Sequence, residues 1–251
     1  MLKSFKNFIL DTLFPISCLS CGVRDAWLCP ECFNQIGILT MQVCPYCEKA
    51  ETPAGAICPR CKARAIEKNS PLALNNLIVA TRYTRNNLAR LVHVFKYNFV
   101  PDLGVPLARL VAQAILENHL PLPDFIVSVP LHPRRLRWRG FNQAAILAAY
   151  LAENLSPGLT IPVLDATVIR RIFTPPQMTI KNYAARKKNM QNSFSLGKKY
   201  SLEENIIKNK KILLIDDIAT TGSTLLECAK VLKAAGAKKV FASVIARQEM
   251  P

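Results

Sequence analysis

Long apolar runs are missing from this 251-residue chain. The most apolar stretches, around Leu77 to Ala80 and Ile212 to Ile215, are strand-sized, far below the roughly 18 residues that a membrane span needs, which excludes a transmembrane protein. An export signal is missing too. The opening segment MLKSFKNFILDTLFPIS carries two lysines and some apolar residues, but Asp11 interrupts it and no small-residue cleavage site follows. It reads as a short amphipathic helix with Phe5, Phe8, Ile9 and Leu13 on one face, and a cytoplasmic location is the expectation. Acidic side chains are scarce, 17 against 33 basic ones, for a formal charge of +16. Because half the residues are apolar, the chain has enough to bury a core, so the excess charge marks a basic surface rather than disorder.

Nine cysteines are present, and eight form C-x-x-C pairs within the first 61 residues: Cys18 with Cys21, Cys29 with Cys32, Cys44 with Cys47, and Cys58 with Cys61. Without an export signal this pattern points to zinc rather than disulfides. Two sulfurs separated by two residues can face one tetrahedral ion at about 2.3 Å, and two such knuckles close a four-cysteine site. Four knuckles make two Zn²⁺ sites, either from neighbouring pairs or from interleaved ones. Closed all-thiolate sites leave no position open for chemistry, so both are expected to be structural. The ninth residue, Cys228, lies in a helical pattern and reads as a small buried hydrophobe.

Charge and pattern divide the chain at residue 70. Residues 1–70 hold eight basic and six acidic side chains, whereas residues 71–251 hold 25 and 11. No acid occurs between Asp165 and Glu203, and Arg134, Arg135, Arg137 and Arg139 crowd one short stretch. Such clusters attract phosphate, on a nucleotide or along a nucleic-acid backbone. The second part alternates strands and helices: strands at Asn76 to Tyr83, Asp124 to Pro130, Lys211 to Ile215 and Lys239 to Ala246. Helices are expected at Asn86 to Asn98, Leu103 to Asn118, Gln143 to Asn154 and Ser223 to Ala235, the last ended by Gly236. This is an α/β pattern with a mostly parallel sheet flanked by helices, and ligands collect at the carboxyl ends of its strands.

The most informative segment is KKILLIDDIATTGSTL, Lys210 to Leu225. An apolar strand ends in Asp216 and Asp217, and after Ile218 and Ala219 comes the small, hydroxylated turn Thr220, Thr221, Gly222, Ser223 and Thr224, then a helix. Glycine permits close backbone approach, and the first N–H groups of the helix point at an anion. The carboxylates suit sugar hydroxyls or a metal ion, since a phosphate would be repelled.

This segment resembles the phosphoribosyl-pyrophosphate (PRPP) signature of type I phosphoribosyltransferases. The resemblance widens to nearly the whole chain: a double zinc ribbon, then VHVFKY, VPLHPRRLRWRGFNQA, TPPQ and the signature follow the order of the ComF/GntX-like proteins, a family associated with competence and DNA uptake. It implies that Asp216 and Asp217 hold the ribose hydroxyls and act in catalysis, and that Ala219, Thr220, Thr221, Gly222, Ser223 and Thr224 hold the 5′-phosphate. Residues 128–142 would face pyrophosphate, with Arg134, Arg135 and Arg139 supplying charge, Lys96 adding to it and Mg²⁺ bridging the oxygens. Gln177, Arg186 and Asn189 would belong to a loop that closes over PRPP, and Arg247 would border the base or pyrophosphate. In purine-specific relatives an acid stands three places after the second Asp; here Thr220 occupies that place, so no acceptor is indicated. The implied activity is PRPP-dependent phosphoribosyl transfer or sensing. The alternative is a non-enzymatic adaptor for single-stranded DNA or competence-machinery proteins, with few aromatics for stacking and therefore mainly backbone-driven binding.

Overall fold

The computed structural model describes residues 16–83, 88–98, 100–170, 172, 192–198, 200 and 206–248. The expected N-terminal amphipathic helix and the loop positions Gln177, Arg186 and Asn189 lie outside them.

The cysteine-rich part is made of two similar units. Helix α1 (Pro30–Asn34) starts after Cys29, and helix α2 (Pro59–Glu67) after Cys58, each with proline in its first turn, where the missing N–H leaves no helical bond unmade. Strands β1 (Gln42–Val43) and β2 (Glu51–Thr52) pair antiparallel around the third knuckle. Between the units, the chain runs along β3 (Asn76–Arg82): Leu39 N–H donates to Ala80 O at 2.9 Å, and Thr81 Oγ1 donates to Gly37 O at 2.7 Å. Gln42 donates through Nε2 to Val79 O at 3.1 Å and accepts from Val79 N–H at 2.9 Å. These contacts cover the backbone of an edge strand that would otherwise invite pairing with another chain. Gly55 presses so closely on β3 that a Cβ there would stand 2.0 Å from the Leu77 carbonyl oxygen, and its φ of +61° adds a second reason for glycine.

The remaining elements are α3 (Leu88–Tyr97), α4 (Gly104–Glu117), β4 (Phe125–Ser128), α5 (Pro133–Arg139), α6 (Gln143–Asn154), β5 (Val168–Arg170), β6 (Phe194–Leu196), β7 (Lys211–Ala219), α7 (Ser223–Ala234) and β8 (Lys239–Arg247). Strands β3, β8, β7 and β4 form, in that order, a parallel sheet. Both faces are covered, which explains the near-continuous apolar runs in β7 and β8. On one face Leu213, Ile215, Phe241 and Ile245 pack with Phe95, Leu107 and Leu147 of the helices, and Cys18, Cys29 and Cys32 join this core. On the other, Ile212, Leu214, Val240 and Val244 pack with Leu225, Cys228 and Leu232 of α7; Cys228 is fully buried, as its helical setting suggests.

Three features differ from the sequence expectation. Strand β7 continues past Ile215 through the acidic pair to Ala219, because pairing with β8 continues: Asp216 opposes Val244 and Ala219 opposes Arg247. The stretch 128–142, given no helix from sequence, contains helix α5, whose N-terminus is capped by His132, the ring Nδ1 accepting from Arg134 N–H at 3.2 Å, and whose end is turned by Gly140 at φ +74°. An antiparallel pair, β5 with β6, flanks the sheet. Among the described residues no helix is long and apolar enough to cross a membrane.

Candidate functional site

The cysteines resolve into two clusters of neighbouring knuckles, Cys18, Cys21, Cys29 and Cys32 in one and Cys44, Cys47, Cys58 and Cys61 in the other, the sulfurs of each within 4.8 Å of one another. Interleaved pairing is excluded. A tetrahedron of sulfurs about 2.3 Å from a central ion has edges of roughly 3.8 Å; Cys21 and Cys29 sulfurs lie 3.6 Å apart, and those of Cys47 and Cys58 3.8 Å. Backbone N–H groups of Cys29, Cys58 and Cys61 point at Cys18, Cys44 and Cys58 sulfurs at 3.4 to 3.5 Å, the partners a thiolate uses. Burial, and then the adjoining Cys58 and Cys44, push the Cys61 thiol up to about 12. Four such sulfurs ionise together only around a cation, so the donor set fits Zn²⁺.

The second site is a cavity of about 120 Å³ at the carboxyl ends of β7 and β4. One wall is acidic, with Asp216 and Asp217 at the end of β7 and Thr220 and Thr224 beyond them. The same lining carries cations: Arg135 and Arg139 from α5, and Arg170 from β5, close enough to Asp216 to pull its titration down. Asn142 and Gln143 at the start of α6 line it as well. Asn142 caps that helix, its Oδ1 accepting from Ala144 N–H at 3.2 Å, while its Nδ2 donates to Val129 O at 3.0 Å and ties α6 to the end of β4.

Arg139 is buried under the Tyr97 ring, its guanidinium 5.1 Å from the ring centre, and donates through Nη1 to Gln143 Oε1 at 3.0 Å. That bond turns the Gln143 amide nitrogen away. Gln143 Nε2 and Arg139 Nε are both buried, Gln143 being 1% exposed, and neither has an acceptor among the described residues. Buried donors without partners are costly, and two of them on a cavity wall call for an acceptor-rich ligand. Burial, then Arg135, lowers the Arg170 guanidinium to about 10 against the pull of Asp216; burial, then Arg139, lowers Arg135. Arg135 thus lies within repulsive reach of both Arg139 and Arg170, which concentrates positive charge at this end of the cavity.

On the acidic wall Lys96 Nζ lies 2.9 Å from Asp217 Oδ1, which also accepts from Ile218 N–H at 2.6 Å. Asp216 Oδ1 accepts from Asp217 N–H at 2.9 Å. Burial, then the charge of Asp217, raises Asp216 from an ordinary 3.8 to about 7, while the Asp217 N–H, Lys96 and Arg170 oppose the rise. Some of the Asp216 surface faces the cavity, so its enclosure by protein atoms rather than full loss of contact with solvent sets this direction. Between pH 4 and 7 the folded chain therefore holds more protons than the unfolded one. The stabilisation from protonated Asp216 is complete below its unfolded value and is lost as pH rises through about 7. Asp216→Asn cannot titrate, and its stability relative to wild type is expected to rise by about 1 kcal/mol between pH 6 and 8 in urea unfolding. A difference that stays constant over that range would show that Asp216 is already ionised at pH 6.

Of the residues singled out from sequence, Lys96, Arg135, Arg139, Asp216, Asp217, Thr220 and Thr224 meet at this cavity. Thr221 and Ser223 are buried and bond to each other through their hydroxyls, shaping the turn from behind, and Gly222 at φ +64° begins α7. Ala219 is the last residue of β7, and Arg134 is exposed on the outer side of α5. Lys96, expected to add to the charge facing pyrophosphate, pairs instead with Asp217. Sequence reasoning gives no role to Tyr97 or Gln143, and includes Asn142 only as the end of the stretch facing pyrophosphate and Arg170 only as one of the basic residues of the acid-free stretch. The Asn before a helical pattern is the available signal for Asn142, whereas nothing local marks Arg170.

Residues 142–249 match the family described as Phosphoribosyl transferase domain, and residues 9–62 the one described as Double zinc ribbon domain. Together with the parallel sheet and the two four-cysteine clusters, this defines the class: a type I phosphoribosyltransferase fold joined to a double zinc ribbon. The chain is 31% identical over 227 residues to the DNA utilization protein YhgH of Salmonella typhi, covering 85% of this chain and 93% of that one. It is 28% identical over 244 residues to Competence protein F of Haemophilus influenzae, covering 93% and 98%. With Competence protein ComFC of Streptococcus pneumoniae it shares 27% over 219 residues, 86% of each chain. The chain belongs to this ComF family.

Proposed function

We propose that this chain binds PRPP with Mg²⁺ in the cavity at the end of β7 and transfers its phosphoribosyl group to a nitrogen nucleophile, in the service of DNA uptake or use. The observation that carries the reading is the mixed charge of one small cavity: a carboxylate pair and three guanidiniums line it together, with Arg139 Nε and Gln143 Nε2, buried and without a partner among the described residues, beside them. A pentose with hydroxyls on one side and pyrophosphate on the other matches that polarity. Asp216 and Asp217 take the ribose 2′ and 3′ hydroxyls, and the Thr220 to Thr224 turn takes the 5′-phosphate. Arg135, Arg139, Arg170 and Gln143 take pyrophosphate. The names of the relatives, competence and DNA utilization, support the physiological setting.

The donor set also bears on the metal. One carboxylate of the pair is already neutralised by Lys96, so the site suits a Mg²⁺ held chiefly by oxygens of PRPP itself, where the ion supplies neutralisation of the leaving group. In the reaction the C1′–N bond forms as the C1′–O bond to pyrophosphate breaks, the nitrogen's proton goes to solvent, and the ribose passes through an oxocarbenium-like state. The arginine wall stabilises the charge gathering on pyrophosphate, and the acidic wall the charge on the sugar. Incubation with PRPP, Mg²⁺ and a panel of nitrogenous acceptors is expected to release pyrophosphate with at least one of them. PRPP binding with no release from any acceptor would leave a phosphoribosyl sensor in place of a transferase.

A second reading has its own observation. Trp138 is 59% exposed at the rim of the cavity, its ring 6.1 Å from that of Tyr97, on a helix that also exposes Arg134 and Arg137. This surface suits a strand of nucleic acid held by its phosphates, with Trp138 available to one base. Replacing Arg134, Arg135, Arg137 and Arg139 by Ser is expected to lower the salt slope of single-stranded DNA binding, by roughly 0.7 for each phosphate that is no longer neutralised. An identical slope would place DNA binding on another surface.

A further inference from the structure

Between the second zinc unit and α7 lies a cavity of about 330 Å³, larger than the one of about 120 Å³ at the end of β7 and sharing no lining residue with it. Small-molecule sites usually run from roughly 300 to 1,000 Å³, so this one has room for a single compact ligand. Three parts of the chain make it. Arg64 of α2 and Lys68 just past its end stand four residues apart, hence on one side of the helix. Leu226, Glu227 and Lys230 come from one face of α7. Tyr46 of the third knuckle and Leu72 of the segment leading to β3 add apolar surface, and the Tyr46 hydroxyl, accepting from Leu74 N–H at 3.0 Å, fixes the ring beside that segment. Cys47 and Cys61 also line the cavity, but they belong to the second four-sulfur cluster, which leaves no coordination position for a ligand.

The lining states what the ligand must carry. Among the described residues no acid pairs with Arg64 or Lys68, so two cations stand at the cavity with no counter-charge, and they suit a dianion. Glu227 is different: its side chain is 13% exposed, Oε1 is bonded to Lys230 Nζ at 2.6 Å, and Oε2 accepts from Asn192 N–H at 3.3 Å. A carboxylate has about four acceptor positions, which leaves room for a hydroxyl or amino donor. Tyr46, Leu72 and Leu226 ask for a flat apolar body. Inorganic phosphate has no such body, and a simple aromatic acid has no donor for Glu227. A nucleoside monophosphate meets all three demands.

We propose that the cavity between the second zinc unit and α7 is a second ligand site, which binds a free nucleoside monophosphate. The phosphate meets Arg64 and Lys68, the base packs against Tyr46 and Leu226, and Glu227 accepts from a ribose hydroxyl or an exocyclic amino group. The site does not depend on PRPP, because none of its residues lines the cavity at the end of β7. A bound nucleotide bridges the zinc-bearing part of the chain and α7.

The test titrates AMP and CMP into the full, zinc-loaded chain by calorimetry, with neither PRPP nor Mg²⁺ present. At least one of the two nucleotides is expected to bind. The double variant Arg64→Ser with Lys68→Ser removes the cations, and Ala65→Phe places a ring in the cavity without altering its charge; each should weaken that binding by about tenfold or more. Asp216→Asn with Asp217→Asn should leave it within about twofold, because those acids line the other cavity. Ribose 5-phosphate, which lacks the base, and benzoate, which lacks the ribose and the dianion, should each bind about tenfold or more weakly than the nucleotide. Failure of both nucleotides to bind at millimolar concentration would overturn the proposal. Unchanged affinity in either cavity variant would do the same. Binding lost in the Asn double variant and kept in the cavity variants would move the nucleotide to the end of β7, and the second site would fall. Benzoate bound as tightly as the nucleotide would refute the ligand class, as would an oligonucleotide bound through Arg64 and Lys68 by a chain with no affinity for AMP or CMP. If Ala65→Phe prevents folding, the Ser variant, changed only at exposed positions, decides by the same criteria.

Discussion

PRPP with Mg²⁺ is expected to raise the melting temperature of the wild-type chain by roughly 5–10 °C at a hundredfold excess over its Kd, and the double variant Asp216→Asn with Asp217→Asn is expected to show no rise. Asparagine keeps the volume of each side chain while removing the charges and half the acceptor capacity, so each variant is compared with its own ligand-free state. That comparison matters because the two acids are not equivalent before ligand arrives. Asp217 is engaged by Lys96, both side chains being little exposed, and removing one partner of such a pair costs about 3 kcal/mol. Asp216 carries the raised pKa and is expected to destabilise the chain at pH 8. The Asn pair thus shifts ligand-free stability in opposite directions at the two positions, but ligand response in one direction only. A preserved rise in the double variant would remove the ribose from the acidic wall.

Stripping zinc carries the other large effect. Each chain is expected to hold two zinc ions, and their removal by a strong chelator should withdraw on the order of 10 kcal/mol of binding energy per site. The consequence should spread beyond the ribbon. Cys18, Cys29 and Cys32 belong to the same buried core as Phe95 and Leu107, and Leu39 and Gln42 complete the bonding of β3. Hydrogen exchange should therefore accelerate first in β1, β2 and α2, then in β3, with β7 protected longest between β8 and β4. Cys44→Ser should reduce the zinc content toward one ion and expose β3 next to Gly55, while leaving the first cluster loaded. Full exchange protection of β3 in zinc-free protein would mean that the ribbon holds its shape without metal.

What can be read from sequence is local. The C-x-x-C pairs and the strand–acid–turn run from Lys210 to Leu225 are contiguous, and each encodes its own geometry through short-range constraints. Pairing of the knuckles is not local: the spacings allow neighbours or alternates, and only the placement of the sulfurs in the folded chain separates them. Lys96 and Asp217 lie far apart in sequence, and whether that lysine turns to a phosphate or to an acid depends on how α3 crosses the end of β7. Arg170 escapes for a similar reason. In sequence it is one basic residue in an acid-free stretch, and only the β5–β6 pair brings it to the cavity that Asp216 lines. The apolar pattern makes β7 too short because charged residues ordinarily end such a strand, whereas here pairing with β8 carries the backbone on to Ala219 and delivers both carboxylates to the cavity.

Whether the two walls hold a ribosyl donor is decided by a crystal structure of the chain with PRPP and Mg²⁺. The ribose 2′ and 3′ hydroxyls should lie within hydrogen-bond distance of Asp216 and Asp217, the 5′-phosphate over the Thr220 to Thr224 turn, and pyrophosphate against Arg135, Arg139 and Gln143. A ribose bound elsewhere, or no ligand in this cavity at saturating PRPP, would contradict that placement.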